Sequence, residues 1–204
     1  MRLLVATRNP GKVREYERLL DGCGYEIVGL QSYGDLSVEE TGSSFEENAR
    51  LKATQCARVT GMFTLADDSG LEVDALNGEP GVYSARYAGV GASDAQRTQK
   101  LLAALSTVPP GKRGARFRCV IALAWPDGRC ESFEGKCEGE IAFEAKGSFG
   151  FGYDPVFYMP EHGQTMAELP AEFKNQISHR ARAMALARVR LQELVTEAQR
   201  TQTL

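Results

Sequence analysis

The sequence predicts an α/β protein in which helices flank a mixed sheet that carries a cleft. Three observations predict this fold class. The chain opens with the pattern strand, turn, helix, strand, which is a usual order of elements in α/β proteins. Alternating apolar and polar residues near the middle predict an antiparallel hairpin. Strands and helices intermix up to a C-terminal helix, and 204 residues suit one domain built from two lobes.

The first elements follow from short apolar runs and from helical spacing. Residues 3–7 form an apolar run that predicts a strand, and the turn-forming residues 8–11 end it. A helix is predicted from Pro10, because apolar residues recur there at helical spacing until Gly22. Residues 25–30 predict the second strand.

The later elements are predicted by the same criteria. The spacing of Ser44 and Glu47 is that of a capping box, which starts the second helix. The remaining predictions are a helix over 44–59, a strand over 63–66, a loop rich in Gly and Pro over 77–91, a helix over 93–105, a hairpin of strands 116–125 and 130–135, a short strand over 156–158 and a helix over 178–198.

The charge of the chain argues against a protein that binds nucleic-acid polymers. Twenty-four basic residues face 27 acidic ones, which gives a formal charge of −3 and a pI near 5.6. A duplex or RNA binder usually shows a basic excess or stripe. A few well-placed cations can still hold a small polyanion inside an acidic protein, so nucleotides remain compatible with this composition.

Cysteine usage and hydropathy predict a cytoplasmic protein. The five cysteines are scattered and form no CxxC pair, which indicates free thiols in a reducing compartment rather than a zinc or redox motif. The N-terminal apolar run is too short for a signal peptide, and no segment has the length of a membrane span. We therefore expect no membrane partner.

The turn after the first strand has the features of an anion site. The connection between the first strand and the first helix consists of Thr7, Arg8, Asn9, Pro10, Gly11 and Lys12. Free backbone N–H groups and the helix dipole favour an anion there, and Lys12 adds a cation. The spacing of a Walker A loop is absent. Taken alone, the motif fits an ordinary turn with a solvated lysine better.

Carboxylates follow the third predicted strand. Asp67 and Asp68 are expected at its carboxyl end, the edge at which α/β sheets bind ligands. Adjacent strand residues point to opposite faces, so one of the two should face the cleft, and Asp67 fits a solvated turn. Carboxylate oxygens suit Mg²⁺. Glu39 or Glu40 offers a further ligand to the same metal, and Lys52 fits either a phosphate contact or a surface position.

Two later segments have residues that can contact a nucleotide base. Residues 149–155 mix aromatic side chains with glycines, and an aromatic face can stack on a base. The ordinary alternative is a turn whose aromatic side chains fill the core. His179 and Arg180 open the last helix after Ser178, a candidate N-cap, and a surface helix start explains them equally well.

Taken together and in order, these motifs resemble the inosine/xanthosine triphosphate pyrophosphatase family, enzymes that remove deaminated purine nucleotides. The resemblance covers nearly the whole chain in spaced blocks: ATRNPGK at 6–12, EETG at 39–42, DDSG at 67–70, PGVYSARY at 80–87, GFGYDP at 150–155 and ISHR at 177–180. It implies an elongated mixed sheet flanked by helices, two lobes with a central substrate cleft, and a homodimer.

The resemblance also implies roles for individual residues. Asp68 looks like the general base and a metal ligand, with Ser69 touching substrate. Glu39 looks like the second metal ligand, with Glu40 as the alternative. Residues 7–12 look like the phosphate-binding segment. The implied base-recognition set is Phe151, Gly152, Tyr153, Asp154, Lys174, His179 and Arg180.

Two positions depart from the pattern of the family. Arg8 stands where a small residue is frequent, so its side chain either adds a phosphate contact or points outward. Phe149 stands where a glycine is frequent, which leaves open whether Phe149 or Phe151 stacks on the purine.

The implied activity is the Mg²⁺-dependent hydrolysis of ITP, dITP and XTP to the monophosphate and pyrophosphate, which cleanses the nucleotide pool. Water activated by Asp68 and the metal attacks the α-phosphorus. A 6-oxopurine offers an acceptor at O6 and a donor at N1, and adenine offers the reverse. Donors from His179 or Arg180 would therefore be left unpaired by ATP.

Two other functions fit parts of the sequence. One is an enzyme of related architecture that removes modified pyrimidine nucleotides, and the adjacent His179 and Arg180 argue against it. The other is a non-catalytic nucleotide sensor. A sensor needs no activated water, so the presence of both Glu39 and Asp68 favours an enzyme.

Overall fold

The computed structural model describes the backbone of residues 1–202 and the side chains of residues 1–200. Within these residues seven strands form one sheet in the order β2-β1-β3-β4-β5-β6-β7. They are β1 (Arg2–Val5), β2 (Glu26–Gly29), β3 (Thr64–Val73), β4 (Gly114–Ala124), β5 (Cys130–Ile141), β6 (Phe157–Met159) and β7 (Gln164–Thr165). β1 pairs in parallel with β2 and β3, whereas β6 pairs antiparallel with β5 and β7. The predicted mixed α/β class is confirmed.

The α-helices begin and end at residues that local chemistry favours. They are α1 (Pro10–Leu19), α2 (Phe45–Thr60), α3 (Asp94–Ala104), α4 (Ala171–Ile177) and α5 (His179–Gln202). Ser44 caps α2, because its hydroxyl accepts a hydrogen bond from the Glu47 N–H at 3.2 Å. Gly61 ends that helix in the left-handed conformation, at φ +67°. Ser93 and Gln96 form a reciprocal capping box at the start of α3.

The chain divides into two compact units. Unit 1 comprises Met1–Asp68, Cys119–Gly135 and the chain from Arg180 onward, and unit 2 comprises Ser69–Arg118 and Lys136–His179. Each unit has its own apolar core. The core of unit 1 includes Leu3, Tyr16, Leu65, Ile121 and Leu191. The core of unit 2 includes Leu71, Leu101, Phe117, Ile141 and Phe157.

The structure corrects two predicted strand ends and adds one helix. The strand expected over 63–66 continues as β3 to Val73, so Asp67 and Asp68 lie inside a strand and not in a turn at its end. β5 also runs six residues past the predicted end at residue 135, to Ile141. The seven-residue helix α4 was not expected, since it is too short to show a clear apolar period.

The cysteines are free thiols. Cys23, Cys56, Cys119 and Cys137 are buried, and Cys130 is half-buried. Burial raises the pKa of the Cys119 thiol to about 12, with further contributions from Asp67, so this thiol stays protonated and inert. In the described part of the chain, no helix combines the length and the apolar character needed to cross a membrane.

Candidate active site

The segment after β1 builds the start of α1 as the sequence predicts. Asn9 is the N-cap, and its side-chain oxygen accepts hydrogen bonds from the N–H groups of Gly11 at 2.8 Å and Lys12 at 3.3 Å. The Thr7 hydroxyl accepts from the Asn9 N–H at 3.2 Å. Pro10 takes the first helical position, where its missing N–H costs nothing. The positive end of α1 therefore starts next to the end of a buried strand.

Lys12 extends from this helix start to Asp67. Its ammonium lies 2.9 Å from Asp67 Oδ2, and Asp67 is only 1% exposed. The same carboxylate accepts a hydrogen bond from Arg180 Nη2 at 3.1 Å. Arg180 is also 1% exposed and forms a second ion pair with Glu15. Asp67 is thus the shared partner of two cations and not the solvated turn residue that the sequence suggested.

The charge of Asp67 is set by these cations. Burial alone raises the pKa of a carboxyl group. Lys12, Arg180 and Lys52 outweigh that effect and hold the pKa of Asp67 well below its ordinary range. The carboxylate is therefore charged in the folded protein, which explains why a buried strand can carry an aspartate here.

Asp68 has the opposite environment. It is 6% exposed, and its Oδ2 accepts a hydrogen bond from the Asn48 amide at 3.0 Å. Burial raises the pKa of Asp68, with a further rise from Glu40, against the lowering effect of Lys52 and Lys12. A carboxyl group with a raised pKa binds a proton more readily, which suits a general base. The surroundings of these two adjacent aspartates thus shift their pKa values in opposite directions.

Glu40 and Lys52 stand beside Asp68. The Lys52 ammonium lies 2.5 Å from Glu40 Oε1, and both side chains are largely buried. Burial lowers the pKa of Lys52, but Asp67, Asp68 and Glu40 outweigh that effect, so the pKa is raised and the ammonium stays charged. Lys52 is therefore not a snorkelling surface residue. Glu39, in contrast, is exposed.

The carboxylates near Asp68 have the chemistry of magnesium ligands. Among the described residues no group of three or more His, Cys, Asp or Glu side chains could hold a metal. Mg²⁺ is usually held by one or two carboxylates together with substrate phosphates. Asp68 and Glu40 supply that number, since the charge of Glu40 acts directly on Asp68. Glu40 contacts Lys52 and Glu39 is exposed, and the choice between them as the second metal ligand stays a prediction.

The structure gives different surroundings to the predicted substrate residues Arg8 and Ser69. The Arg8 guanidinium is exposed and donates to the carbonyl oxygens of Gly34, at short range, and Leu36, at 3.4 Å. Its described contacts are therefore with the backbone that follows β2. Ser69 follows Asp68 in β3, is half-buried and belongs to unit 2.

Unit 2 holds most of the predicted base-recognition residues. Asp154 is 3% exposed, and its Oδ2 accepts from the Phe151 N–H at 2.9 Å and the Lys174 ammonium at 2.6 Å. The same ammonium lies 4.7 Å from the centroid of the Phe151 ring. Gly150, at φ +77°, has no room for a side chain, because a Cβ would overlap Asp154 Oδ2. The carboxylate therefore fixes the loop, the lysine and the aromatic ring together.

Hydrogen bonds also hold the neighbouring residues Gly152 and Tyr153 in place. The Gly152 N–H donates to Asp94 Oδ2 at 2.7 Å. The Tyr153 hydroxyl donates to the Ser84 carbonyl at 2.9 Å, and burial raises the pKa of Tyr153 far above its ordinary range. Phe149 is 54% exposed, whereas Phe151 is half-buried. Phe151 is therefore the better held of the two aromatic candidates.

His179 and Arg180 are adjacent in sequence but belong to different units. His179 is 6% exposed and stacks on Phe117 within unit 2, with centroids 4.8 Å apart and an interplanar angle of 20°. Arg180 belongs to unit 1, where its guanidinium pairs with Asp67 and Glu15. A role for Arg180 in reading the base stays a prediction.

Sequence analysis missed three residues that position the site. Glu15 holds Arg180, and Asp94 holds the backbone of Gly152. Asn48 is 1% exposed and contacts Asp68. One signal was available for Asn48, since it lies four residues before Lys52 and therefore on the same face of α2.

The fold is a mixed α/β fold whose third strand carries two buried aspartates with lysine neighbours. The Ham1 family model matches residues 3–189, and the chain belongs to that family. The membership predicted from the motifs is thereby confirmed.

Relatives of known name match along nearly their whole length. The chain is 55% identical over 188 residues to a dITP/XTP pyrophosphatase of Desulforamulus reducens, covering 92% of this chain and 94% of the relative. It is 54% identical over 186 residues to a dITP/XTP pyrophosphatase of Geobacter sulfurreducens, covering 91% and 94%.

Solved structures of Ham1 proteins are similar throughout. The protein of Coxiella burnetii matches with a TM-score of 0.87 at 44% identity, covering 95% of this chain and 99% of that one. The Staphylococcus aureus Ham1 protein matches with a TM-score of 0.85 at 45% identity and the same coverage. The similarity therefore extends to the fold of the whole family domain.

Proposed function

We propose that this protein is a hydrolase that converts ITP, dITP and XTP to the corresponding monophosphate and pyrophosphate. The relatives named dITP/XTP pyrophosphatase support the substrate class. The observation that carries the proposal is the contrast between the two adjacent aspartates. Asp67 forms ion pairs with Lys12 and Arg180 that hold it charged, whereas Asp68 accepts a hydrogen bond from the buried Asn48 amide and burial raises its pKa.

The reaction is a displacement at the α-phosphorus. Asp68 takes a proton from water while the water oxygen bonds to the α-phosphorus. The bond from that phosphorus to the oxygen bridging to the β-phosphorus breaks, and this oxygen leaves with pyrophosphate. Mg²⁺, the expected cofactor, would be held by Asp68 and by Glu40 or Glu39 and would neutralise charge on the phosphates. The chain itself supplies the base and the cations around it.

The phosphate chain is held by residues 7–12 and by the lysines. The N–H groups of Gly11 and Lys12 donate to Asn9, so the positive end of the α1 dipole and the Lys12 ammonium are the features that would attract a phosphate. Lys12 also keeps its contact with Asp67. Lys52 supplies a second buried cation near Asp68. Catalysis then rests on positioning and electrostatics, as in other phosphoryl transfers.

Base choice is assigned to the predicted set in unit 2 and to Arg180. Phe151 offers a ring for stacking, and Lys174 offers an ammonium that Asp154 orients. Donors aimed at O6 would be left unpaired by ATP, which can discriminate by about 10⁴-fold. A single domain of two lobes, a homodimer and a cytoplasmic location complete the proposal.

A nucleotide panel tests the proposed function. ITP, dITP, XTP, GTP, ATP and dUTP are incubated with the protein and Mg²⁺, and pyrophosphate and orthophosphate are assayed separately. ITP and XTP should give the monophosphate and pyrophosphate in one step, and a chelator should abolish turnover. Accumulation of IDP with orthophosphate would overturn the reaction class. A preference for dUTP would support the pyrimidine alternative, and binding without turnover would indicate a sensor.

A further inference from the structure

Asn48 links two parts of unit 1 through a single buried amide. It lies in the first turn of α2 and is 1% exposed. Its Nδ2 donates to Asp68 Oδ2 at 3.0 Å, and its Oδ1 accepts from the Gly42 N–H at 2.8 Å. One side chain therefore joins the proposed general base to the backbone of the segment that carries Glu39 and Glu40.

The direction of this amide is fixed by chemistry. A backbone N–H can only donate, so the oxygen of the Asn48 amide must face Gly42. The NH₂ group is thereby forced toward Asp68, whose carboxylate can accept it. The contact with Gly42 thus decides which end of the amide the carboxylate meets.

The backbone around Gly42 is shaped for this contact. A Cβ on Gly42 would lie 2.7 Å from Glu47 Cβ and 2.8 Å from Asn48 Oδ1, closer than real side chains approach. Glu47 is fixed in turn, because its Oε2 accepts from the Ser43 N–H at 2.7 Å and the Ser43 hydroxyl at 2.9 Å. These hydrogen bonds lower the pKa of Glu47. Only a glycine at position 42 lets the chain approach the amide so closely.

We propose that Asn48 is a positioning residue that fixes the orientation of the Asp68 carboxylate for proton transfer. The inference rests on the proposed function, in which Asp68 is the general base. A carboxylate held at one oxygen by a donor cannot rotate about its Cβ–Cγ bond without losing that hydrogen bond. Proton transfer depends steeply on such geometry. Both polar atoms of the Asn48 amide are engaged by protein groups, Nδ2 by Asp68 and Oδ1 by Gly42, so its loss is expected to change the chemical step more than nucleotide binding.

Two variants perturb the Asn48 amide in different ways. Asn48→Asp keeps the size of the side chain and an oxygen for the Gly42 N–H, but replaces the donor to Asp68 by a carboxylate. Gly42→Ala keeps Asn48 and pushes against its amide through the added Cβ. Gly29→Ala is the matched control, since that glycine is also in unit 1 and its added Cβ meets only the flexible end of Gln31.

Three readouts separate positioning from folding and from binding. They are kcat and KM for ITP with Mg²⁺, the Kd for the α,β-methylene analogue of ITP, which resists cleavage, and a thermal melt. Asn48→Asp should lower kcat by about 10- to 100-fold, the usual effect of losing a hydrogen bond to a charged group. KM and the Kd of the analogue should stay within about threefold of the parent values. Gly42→Ala should show the same pattern, and Gly29→Ala should match the parent.

The outcomes decide between the claims. If a folded Asn48→Asp protein keeps the kcat of the parent, Asn48 does not position Asp68. If KM and Kd rise while kcat holds, the residue serves nucleotide binding and the inference is wrong. If both Asn48→Asp and Gly42→Ala unfold below the assay temperature, the amide serves the fold alone. A parent protein that releases no pyrophosphate from ITP defeats the proposed function instead, independently of any variant.

Discussion

Replacing Asp67 by asparagine tests the buried ion pairs directly. The substitution keeps the shape of the side chain and removes only its charge. Lys12 lies 2.9 Å and Arg180 3.1 Å from the same Asp67 oxygen, and both aspartate and arginine are 1% exposed. Asp67→Asn therefore leaves two cations with one carboxylate fewer in a region from which water is largely excluded.

The expected magnitude follows from burial. Removing one partner of a buried ion pair costs about 3–5 kcal/mol, because the remaining charge is left uncompensated. For a protein of about this size, 1 kcal/mol corresponds to a change in melting temperature of about 2–4 °C. Asp67→Asn should therefore melt about 6–20 °C below the parent at pH 7.

An exposed aspartate provides the control. Asp127 lies 2.9 Å from Arg129, but both side chains are more than half exposed. Surface ion pairs contribute little, so Asp127→Asn should melt within about 2 °C of the parent. Differential scanning calorimetry on the three proteins, without added nucleotide, measures both shifts. If Asp67→Asn also melts within 2 °C of the parent, the argument from buried charge is wrong.

The pH dependence gives a second check. The folded protein holds the pKa of Asp67 below its ordinary range, and an unfolded aspartate titrates near about pH 3.9. A group with a lowered pKa stabilises the fold above its unfolded pKa, and this contribution is lost as pH falls toward the folded pKa. The difference in melting temperature between parent and Asp67→Asn should therefore be smaller at pH 3 than at pH 7.

Three further substitutions test the proposed roles. Asp68→Asn should fold normally and lose nearly all turnover of ITP, because an amide is a poor base; substantial activity in the folded variant would remove Asp68 from the reaction. Lys12→Ala should raise KM for every nucleotide by a similar factor, and an effect confined to one base would contradict a phosphate contact. Arg180→Ala should lower the ratio of kcat/KM for ITP to that for ATP by about 10- to 100-fold. An unchanged ratio with a lowered melting temperature would assign Arg180 to its ion pairs with Asp67 and Glu15 alone.

Local patterns predicted much of the fold. β1, α1 and β2 follow from an apolar run, a Pro-Gly turn and helical spacing, and all three formed where expected. The capping residue Ser44 was also visible in the sequence and caps α2, and the helix predicted from residue 93 begins with Ser93 as the N-cap of α3. Such features depend on residues within a few positions of each other, which a sequence displays directly.

The predicted end of β3 was wrong because the residues that stabilise Asp67 in the strand are distant in the sequence. Two aspartates in a row normally indicate a turn, yet Asp67 continues a buried strand. Its partner Arg180 lies 113 positions away along the chain, and Lys12 comes from another helix. No local window contains these compensating charges, so the sequence suggested solvation where the fold supplies ion pairs.

The candidate site was predicted more by its motifs than by its geometry. The motifs and the family resemblance identified Lys12, Asp68 and Lys174 as candidate site residues. They did not show which neighbouring residues hold these side chains. Asn48 and Asp94 act through hydrogen bonds to groups distant in the sequence, and the only local signal is that Asn48 shares a face of α2 with Lys52. The ion pair between Glu40 and Lys52 likewise joins residues twelve positions apart, which no local pattern displays.

The distribution of thiols gives the chain built-in reporters of opening. Cys23, Cys56 and Cys119 are buried in unit 1, and Cys137 is buried in unit 2. An alkylating reagent reaches a buried thiol only when the surrounding structure opens. Pulsed alkylation followed by mass spectrometry of the peptides therefore times the exposure of each unit separately. Cys130 is half-buried, so it is alkylated first and gives the reference rate for an accessible thiol. Comparing the other thiols with this rate measures whether the two units open together, without an added probe.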